Sequence, residues 1–248
     1  VTSFEVLGCR VDAVGRAAAT ERVAELARGT VPSLVVTLGV EMVMAAQNDD
    51  AFRATVNRAA LVTCDTIGLL LASRVRGGPL RERVTGVELV GDLAARSAQA
   101  GDVRMFLMGG SGDTAQRAAA ALRARYPGVH IVGARDGYFS ASADAQIAAE
   151  VRASGANLLL AGLGSPKQES WLERWLPATG CGAGIGIGGS LDVFAGNVQR
   201  APAIFQRFGL EWLYRLVSQP SRWRRQLALP KFALLVMLSL SKRDRVGS

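Results

Sequence analysis

Along this chain, short runs of consecutive apolar residues alternate with longer stretches in which apolar positions recur every three or four residues. Six of the runs have strand length: 33–37, 60–64, 103–108, 130–133, 157–161 and 183–187. Between them, mostly Ala-rich segments at 41–57, 86–99, 113–126, 143–154 and 166–176 carry the i, i+3, i+4 spacing that predicts amphipathic helices. Strands alternating with helices of this length predict an α/β fold, a mostly parallel sheet with helices on both faces. Ligands in such sheets bind beyond the carboxyl ends of the strands. The residues that follow each apolar run are therefore the ones that matter for chemistry.

The last part of the chain breaks this pattern. Residues 199–248 hold ten Arg or Lys against Glu211 and Asp244; set these aside, and the 29 basic and 21 acidic residues of the whole chain reduce to equal numbers. The shift, with Pro202, Pro220 and Pro230, predicts a catalytic α/β domain at 1–198 and a basic helical appendage at 199–248. Leu210, Leu213, Leu216 and Val217 fall at helical spacing, and Trp223 lies among basic residues. Helices of that kind settle in a membrane interface or pack on a core. The apolar run 232–240 has nine residues, well short of the roughly 20 that span a bilayer.

At 248 residues and 49% hydrophobic, the chain can bury one sizeable core. Cys9, Cys64 and Cys181 are far apart, odd in number and without CxxC spacing, which argues against a disulfide framework or a zinc knuckle and points to a reducing cytoplasm. The first residues have no charged segment leading into an apolar one, so no signal peptide is expected. A single histidine, His130, rules out multi-histidine metal sites, and its apolar setting reads as a structural strand position.

Several strand ends carry candidate chemistry. Asp65 directly follows an apolar strand, where it is either a partly desolvated general base or the cap of the next helix. Arg81 and Arg83 precede a Thr-Gly that can open a helix, a place for phosphate or simply a solvated loop. The turn Met108-Gly-Gly-Ser-Gly-Asp-Thr114, with Gly109 and Gly110, suits close approach of backbone amides to phosphate, but lacks the GK[ST] of a P-loop. The segment 184–189 fits the letters of GxGxxG but precedes a poor dinucleotide-binding helix. After Gly162-Leu-Gly164, Ser-Pro opens a helix in which Gln168 either presents its amide to a sugar or base edge or is simply solvated.

Together these pieces resemble the WecG/TagA/CpsF family of bacterial glycosyltransferases. The resemblance runs in order from about residue 34 to 225 through Thr37, Asp65, Glu82-Arg-Val-Thr-Gly86, Gly109-Gly110, Tyr126-Pro-Gly128, Asp136-Gly-Tyr-Phe139, Gly162 to Glu169, Gly188-Gly-Ser-Leu-Asp192, Arg200-Ala-Pro202 and Gly209 to Arg215. It implies a Rossmann-like core with a C-terminal appendage. The implied activity is inverting transfer of a sugar, often of N-acetylmannosamine type, from a UDP-sugar to an undecaprenyl-diphosphate-linked sugar at the inner membrane face. By resemblance, Asp65 falls on the catalytic base, Arg83 on an active-site basic position, and Thr37, Gly109, Gly110, Tyr138, Gly164 and Gln168 on the substrate site. Asp192 would lie near the nucleotide base, and Arg215, Arg222 and Arg225 would complete the site against the diphosphates.

A carboxylate base suits the proton that the acceptor hydroxyl must lose, and the departing UDP needs positive charge or helix termini. With no DxD and no histidine cluster, arginines are expected in that role; no cofactor or metal is expected. Two departures from the family pattern stand out: Gly39 where Asn is usual, and Thr66 where Gly is usual. The expected partners are a UDP-sugar, a polyprenyl-diphosphate-linked acceptor and an anionic membrane surface; a homo-oligomer stays open. Without the resemblance, the glycine turns also admit a nucleotide-dependent oxidoreductase, and the tail a non-enzymatic membrane adaptor. Nucleic acid is disfavoured because the positive charge sits with Trp, Pro and Leu instead of across a broad face.

Overall fold

The structure is a computed structural model that describes residues 2–202, 205, 213, 214 and 227–244. A hairpin of β1 (Ser3–Val6) and β2 (Cys9–Asp12) leads into α1 (Arg16–Arg28), β3 (Ser33–Leu38), α2 (Val40–Ala46), α3 (Asp50–Arg58), β4 (Leu61–Cys64) and α4 (Ile67–Val75). There follow α5 (Gly86–Ala100), β5 (Met105–Gly109), α6 (Thr114–Arg125), β6 (Ile131–Arg135), α7 (Asp144–Ala153), β7 (Leu158–Gly162), α8 (Lys167–Thr179), β8 (Ala183–Gly186), α9 (Ser190–Phe194) and α10 (Ala228–Asp244). All six expected strands form. The expected helix 41–57 is two helices, because the Asp49 carboxylate accepts the Phe52 N–H at 2.9 Å and caps a new start.

The six strands β3 to β8 make one sheet in the order β4-β3-β8-β7-β5-β6, with every pairing parallel. Successive side chains alternate between its faces. Val35, Leu61, Met105, Leu107, Leu158, Leu160 and Ile185 pack against α1, α5 and α6. On the other face, Val36, Leu38 and Val62 meet the hairpin, α2 and α4, while Phe106, Met108 and Leu159 meet α7 and α8. Both faces are covered, so the inner strands are apolar at consecutive positions, the pattern of a doubly wound sheet.

The edge at β4 is closed without another strand. Asp12 Oδ2 accepts the Val62 N–H at 2.8 Å, and the Cys64 carbonyl accepts from the Val84 N–H, also at 2.8 Å. These contacts occupy backbone groups that would otherwise invite pairing with another chain. They also fix the segment leading into α5 alongside the carboxyl end of β4.

Chain direction places the crevice. From β5 the chain moves through α6 to the edge strand β6, whereas from β7 it moves through α8 to β8, on the opposite side. The β5/β7 boundary is thus a topological switch point, where the flanking loops part and leave room for a ligand. On the second face, α10 inserts Phe232 and Val236 into the cluster formed by α2 and α4. Among the described residues no helix is long and apolar enough to cross a membrane.

Candidate active site

The register of β3 on β4 pairs Leu38 with Cys64, which brings the residues after them, Gly39 and Asp65, level at the carboxyl edge. The Asp65 N–H donates to the Leu38 carbonyl at 3.0 Å, and its Oδ1 accepts the Gly86 N–H at 3.0 Å. Gly86 is the first residue of α5, so the amide that holds Asp65 belongs to α5 and not to the helix that follows it. Helix N-termini are electropositive and favour a carboxylate there. The start of α5 is itself fixed by a capping box: Thr85 Oγ1 accepts the Glu88 N–H at 3.3 Å, and Glu88 Oε2 accepts the Thr85 N–H at 3.4 Å.

Glu88 also accepts from Arg200, at the root of the appendage, at 3.0 Å. Burial alone would raise its carboxyl, but hydrogen bonds from Thr85 and Arg200 outweigh this and hold it below the ordinary value. A chain of polar contacts therefore runs from Arg200 through Glu88 and the first turn of α5 to Asp65. Arg83, half-buried on the segment pinned to β4, belongs to the same corner. Burial, with the Asp65 charge adding to it and Arg83 working against it, pushes the Cys64 thiol up to about 12. Both side chains are thus close enough to be felt at one sulfur atom. Burial likewise raises Cys9 and Cys181, which leaves all three thiols in the protonated, unreactive form.

Thr37 lies one pair further in and is bonded within the fold, its Oγ1 donating to the Gly186 carbonyl at 2.8 Å. Gln168 is only 2% exposed. Its Oε1 accepts the Gly188 N–H at 3.1 Å and its Nε2 donates to Glu169 Oε1 at 2.7 Å, so the side chain is neither solvated nor aimed outward; it holds the loop after β8. Glu169 is fully buried beneath it, and that burial raises its carboxyl despite hydrogen bonds from Gln168 and Ser165. A β-carbon on Gly186 would lie 2.5 Å from Gln168 Nε2 and one on Gly184 2.7 Å from Leu172, so these glycines seat α8 on the sheet. That accounts for the first two glycines of the GxGxxG letters without a nucleotide.

At the switch point, Gly109 and Gly162 pack backbone to backbone. A β-carbon on Gly109 would meet the Gly162 backbone at 2.6 to 2.8 Å, and its φ of +155° is one that L side chains rarely adopt. The Gly110 carbonyl accepts the Gly137 N–H at 2.8 Å, tying the loop after β6 to the glycine turn. That loop projects Tyr138, 78% exposed, from the rim. Gly164, at φ +78° with open space over its Cα, lies in the loop after β7. Asp192 Oδ1 accepts from Asn197 Nδ2 at 3.1 Å, and Asn197 also donates to Thr114, the first residue of α6, at 3.1 Å and accepts from Arg117.

The carboxyl edge therefore gathers Thr37, Asp65, Arg83, Gly109, Gly110, Tyr138, Gly164, Gln168 and Asp192, the first three toward the β3/β4 end and the glycines at the β5/β7 crevice. Arg215, Arg222 and Arg225, like Trp223, lie outside the described residues. Sequence reasoning missed Glu88, Glu169 and Asn197; of these, only Glu88 had a local signal, the Thr85-x-x-Glu88 pattern of a capping box. Among the described residues no group of three or more His, Cys, Asp or Glu is placed to hold a metal ion. A shallow cavity of about 160 Å³ lies at the opposite, amino end of the strands between α3 and α8, lined by residues such as Pro32, Thr55, Arg58 and Glu173. Thr55 and Arg58 both donate to Glu173 there, a structural contact remote from the carboxyl edge.

The family model described as "Glycosyl transferase WecG/TagA/CpsF family" matches residues 4–246. The chain is 33% identical over 205 residues to the N-acetylglucosaminyldiphosphoundecaprenol N-acetyl-beta-D-mannosaminyltransferase of Bacillus spizizenii, covering 83% of this chain and 79% of that protein.

Proposed function

This chain belongs to the WecG/TagA/CpsF family of glycosyltransferases, and from that premise we propose that it moves an N-acetylmannosamine-type or related hexose from a UDP-sugar to a sugar on undecaprenyl diphosphate, with inversion. The observation that carries the reading is Asp65: a carboxylate held by the α5 N-terminus at the ligand-binding edge, with Arg83 in the same corner. The relative's name gives the acceptor class, N-acetylglucosaminyl-diphosphoundecaprenol, and a β-linked product. Sugar nucleotides of this kind are α-linked, so a β product requires inversion.

In this mechanism the acceptor hydroxyl surrenders its proton to Asp65 as its oxygen attacks the anomeric carbon, and the bond from that carbon to the UDP oxygen breaks on the opposite side. General-base assistance of this kind contributes about 10²- to 10⁴-fold. The negative charge left on UDP falls to Arg83, to the amides of the Gly109–Gly110 turn, and to Arg215, Arg222 and Arg225 of the appendage. These arginines take the place of a metal ion. Tyr138 gives the nucleotide a flat surface at the rim, and Asp192, fixed by Asn197, faces its base.

The α/β body at 1–198 holds the base and the donor crevice, and the appendage at 199–248 both completes the diphosphate site and brings the enzyme to the inner face of the bacterial plasma membrane. Leu234, Met237 and Leu238 form an exposed apolar face on α10 near Lys231, which supports interfacial seating. The test is incubation with a panel of UDP-sugars and undecaprenyl-diphosphate-linked N-acetylglucosamine, with and without EDTA. One donor should yield UDP and a lipid heavier by one sugar, unaffected by the chelator. No lipid product from any donor would refute the transferase reading, and loss of product in EDTA would refute its metal-free part.

A further inference from the structure

Two residues beside Asp65 compete for one space. Gly39 precedes α2 and has no side chain to cap it, while Thr66 precedes α4 and makes no side-chain bond to its own helix. Instead Thr66 Oγ1 accepts the N–H of Val40, the first residue of α2, at 3.2 Å. Thr66 thus caps the neighbouring helix in place of Gly39. The backbone does not require glycine at position 39, since φ −114° and ψ 166° are ordinary extended values. Space is the constraint: a β-carbon there would stand 3.2 Å from Thr66 Cγ2, so the methyl would have to give by a few tenths of an ångström.

We infer that Gly39 and Thr66 form a coupled specificity-determining pair, in which the Thr66 methyl and the absent side chain at 39 together shape the wall that meets the acceptor sugar beside Asp65. The inference rests on the transferase reading above. It assigns the wall to the acceptor because the base takes its proton from the acceptor oxygen, while the leaving diphosphate departs on the far side of the anomeric carbon. The ring nearest the neighbours of Asp65 is then the acceptor's. Thr66 is half-buried, so part of the residue stays accessible at this edge.

The experiment compares kcat/KM for polyprenyl-diphosphate-linked N-acetylglucosamine and polyprenyl-diphosphate-linked glucose in the parent, T66S, G39A and G39A/T66S. Serine keeps the hydroxyl that caps α2 and removes only the methyl. T66S should shift the acceptor ratio by about 10-fold, the scale of one methyl-sized change in a substrate pocket, while leaving the ratio between two UDP-sugar donors within about twofold. G39A should be impaired alone and recover in the double variant, because removing the methyl readmits a side chain at 39. An active T66S enzyme with an unmoved acceptor ratio overturns the inference, and so does a shift confined to the donor ratio. A parent that transfers no sugar refutes the transferase reading and this inference with it. If G39A does not fold, T66S alone decides.

Discussion

Replacing Asp65 with asparagine separates chemistry from architecture. The amide oxygen of the substituted side chain can still accept the Gly86 N–H that Asp65 Oδ1 accepts at 3.0 Å, so the start of α5 keeps its partner. A charged acceptor is worth about 1.5–3 kcal/mol in such a bond and a neutral one about 0.5–1.5, so the substitution costs about 1–2 kcal/mol. For a domain of this size that is a fall in Tm of about 2–8 °C. Turnover should fall by about 10²- to 10⁴-fold, because the acceptor hydroxyl loses its base. Asp65→Ala should lose as much turnover but more stability, by a further ~1–3 kcal/mol, since the buried Gly86 amide is left without an acceptor. Initial rates of UDP release and circular-dichroism melts on the parent and both variants give the answer. Asp65→Asn with parental turnover would refute the base assignment, and equal melting of the two variants would refute the structural role of the Gly86 contact.

Three further outcomes follow from the geometry. Glu88 is held below the ordinary glutamate value of 4.5, so the stability it contributes is present above that pH and is lost as pH falls through its folded value. Glu88→Gln should therefore lower Tm at pH 7 and flatten the acid limb of a Tm-against-pH curve; a parallel curve would contradict the linkage. Gly109→Ala forces a side chain onto the Gly162 backbone at a φ of +155°, and should cost about 2–4 kcal/mol in urea melts along with UDP binding. Leu234→Gln/Met237→Gln should weaken sedimentation with anionic vesicles while changing stability by no more than about 0.5 kcal/mol per site; undiminished binding would remove α10 from the membrane face.

The strands were legible because each is a run of consecutive apolar residues between helical periods, and a sheet covered on both faces asks for nothing subtler. The β1–β2 hairpin was not: Ser3-Phe-Glu-Val6 and Cys9-Arg-Val-Asp12 do alternate, but four residues make too short a run to stand out. Helix α4 was hidden by its own apolarity: Ile-Gly-Leu-Leu-Leu-Ala has no polar face to mark its period. At the site, Asp65 could be found by its place after a strand, but its partner lies 21 residues on in sequence, at the far end of an irregular segment. Gln168 could not be read as buried, because the space that takes it is left by Gly186 on another strand. The two departures at Gly39 and Thr66 looked independent in sequence, and only the parallel register of β3 on β4 makes them neighbours.

Single-displacement transfer of a sugar to a lipid-linked acceptor leaves its mark on the anomeric bond of the product. Mass spectrometry and NMR of the lipid formed from an α-linked UDP-sugar and undecaprenyl-diphosphate-linked N-acetylglucosamine test it most directly. The expected product is a lipid heavier by one sugar, joined through a β-anomeric bond. A retained α-anomeric bond, or UDP release with no heavier lipid, would contradict it.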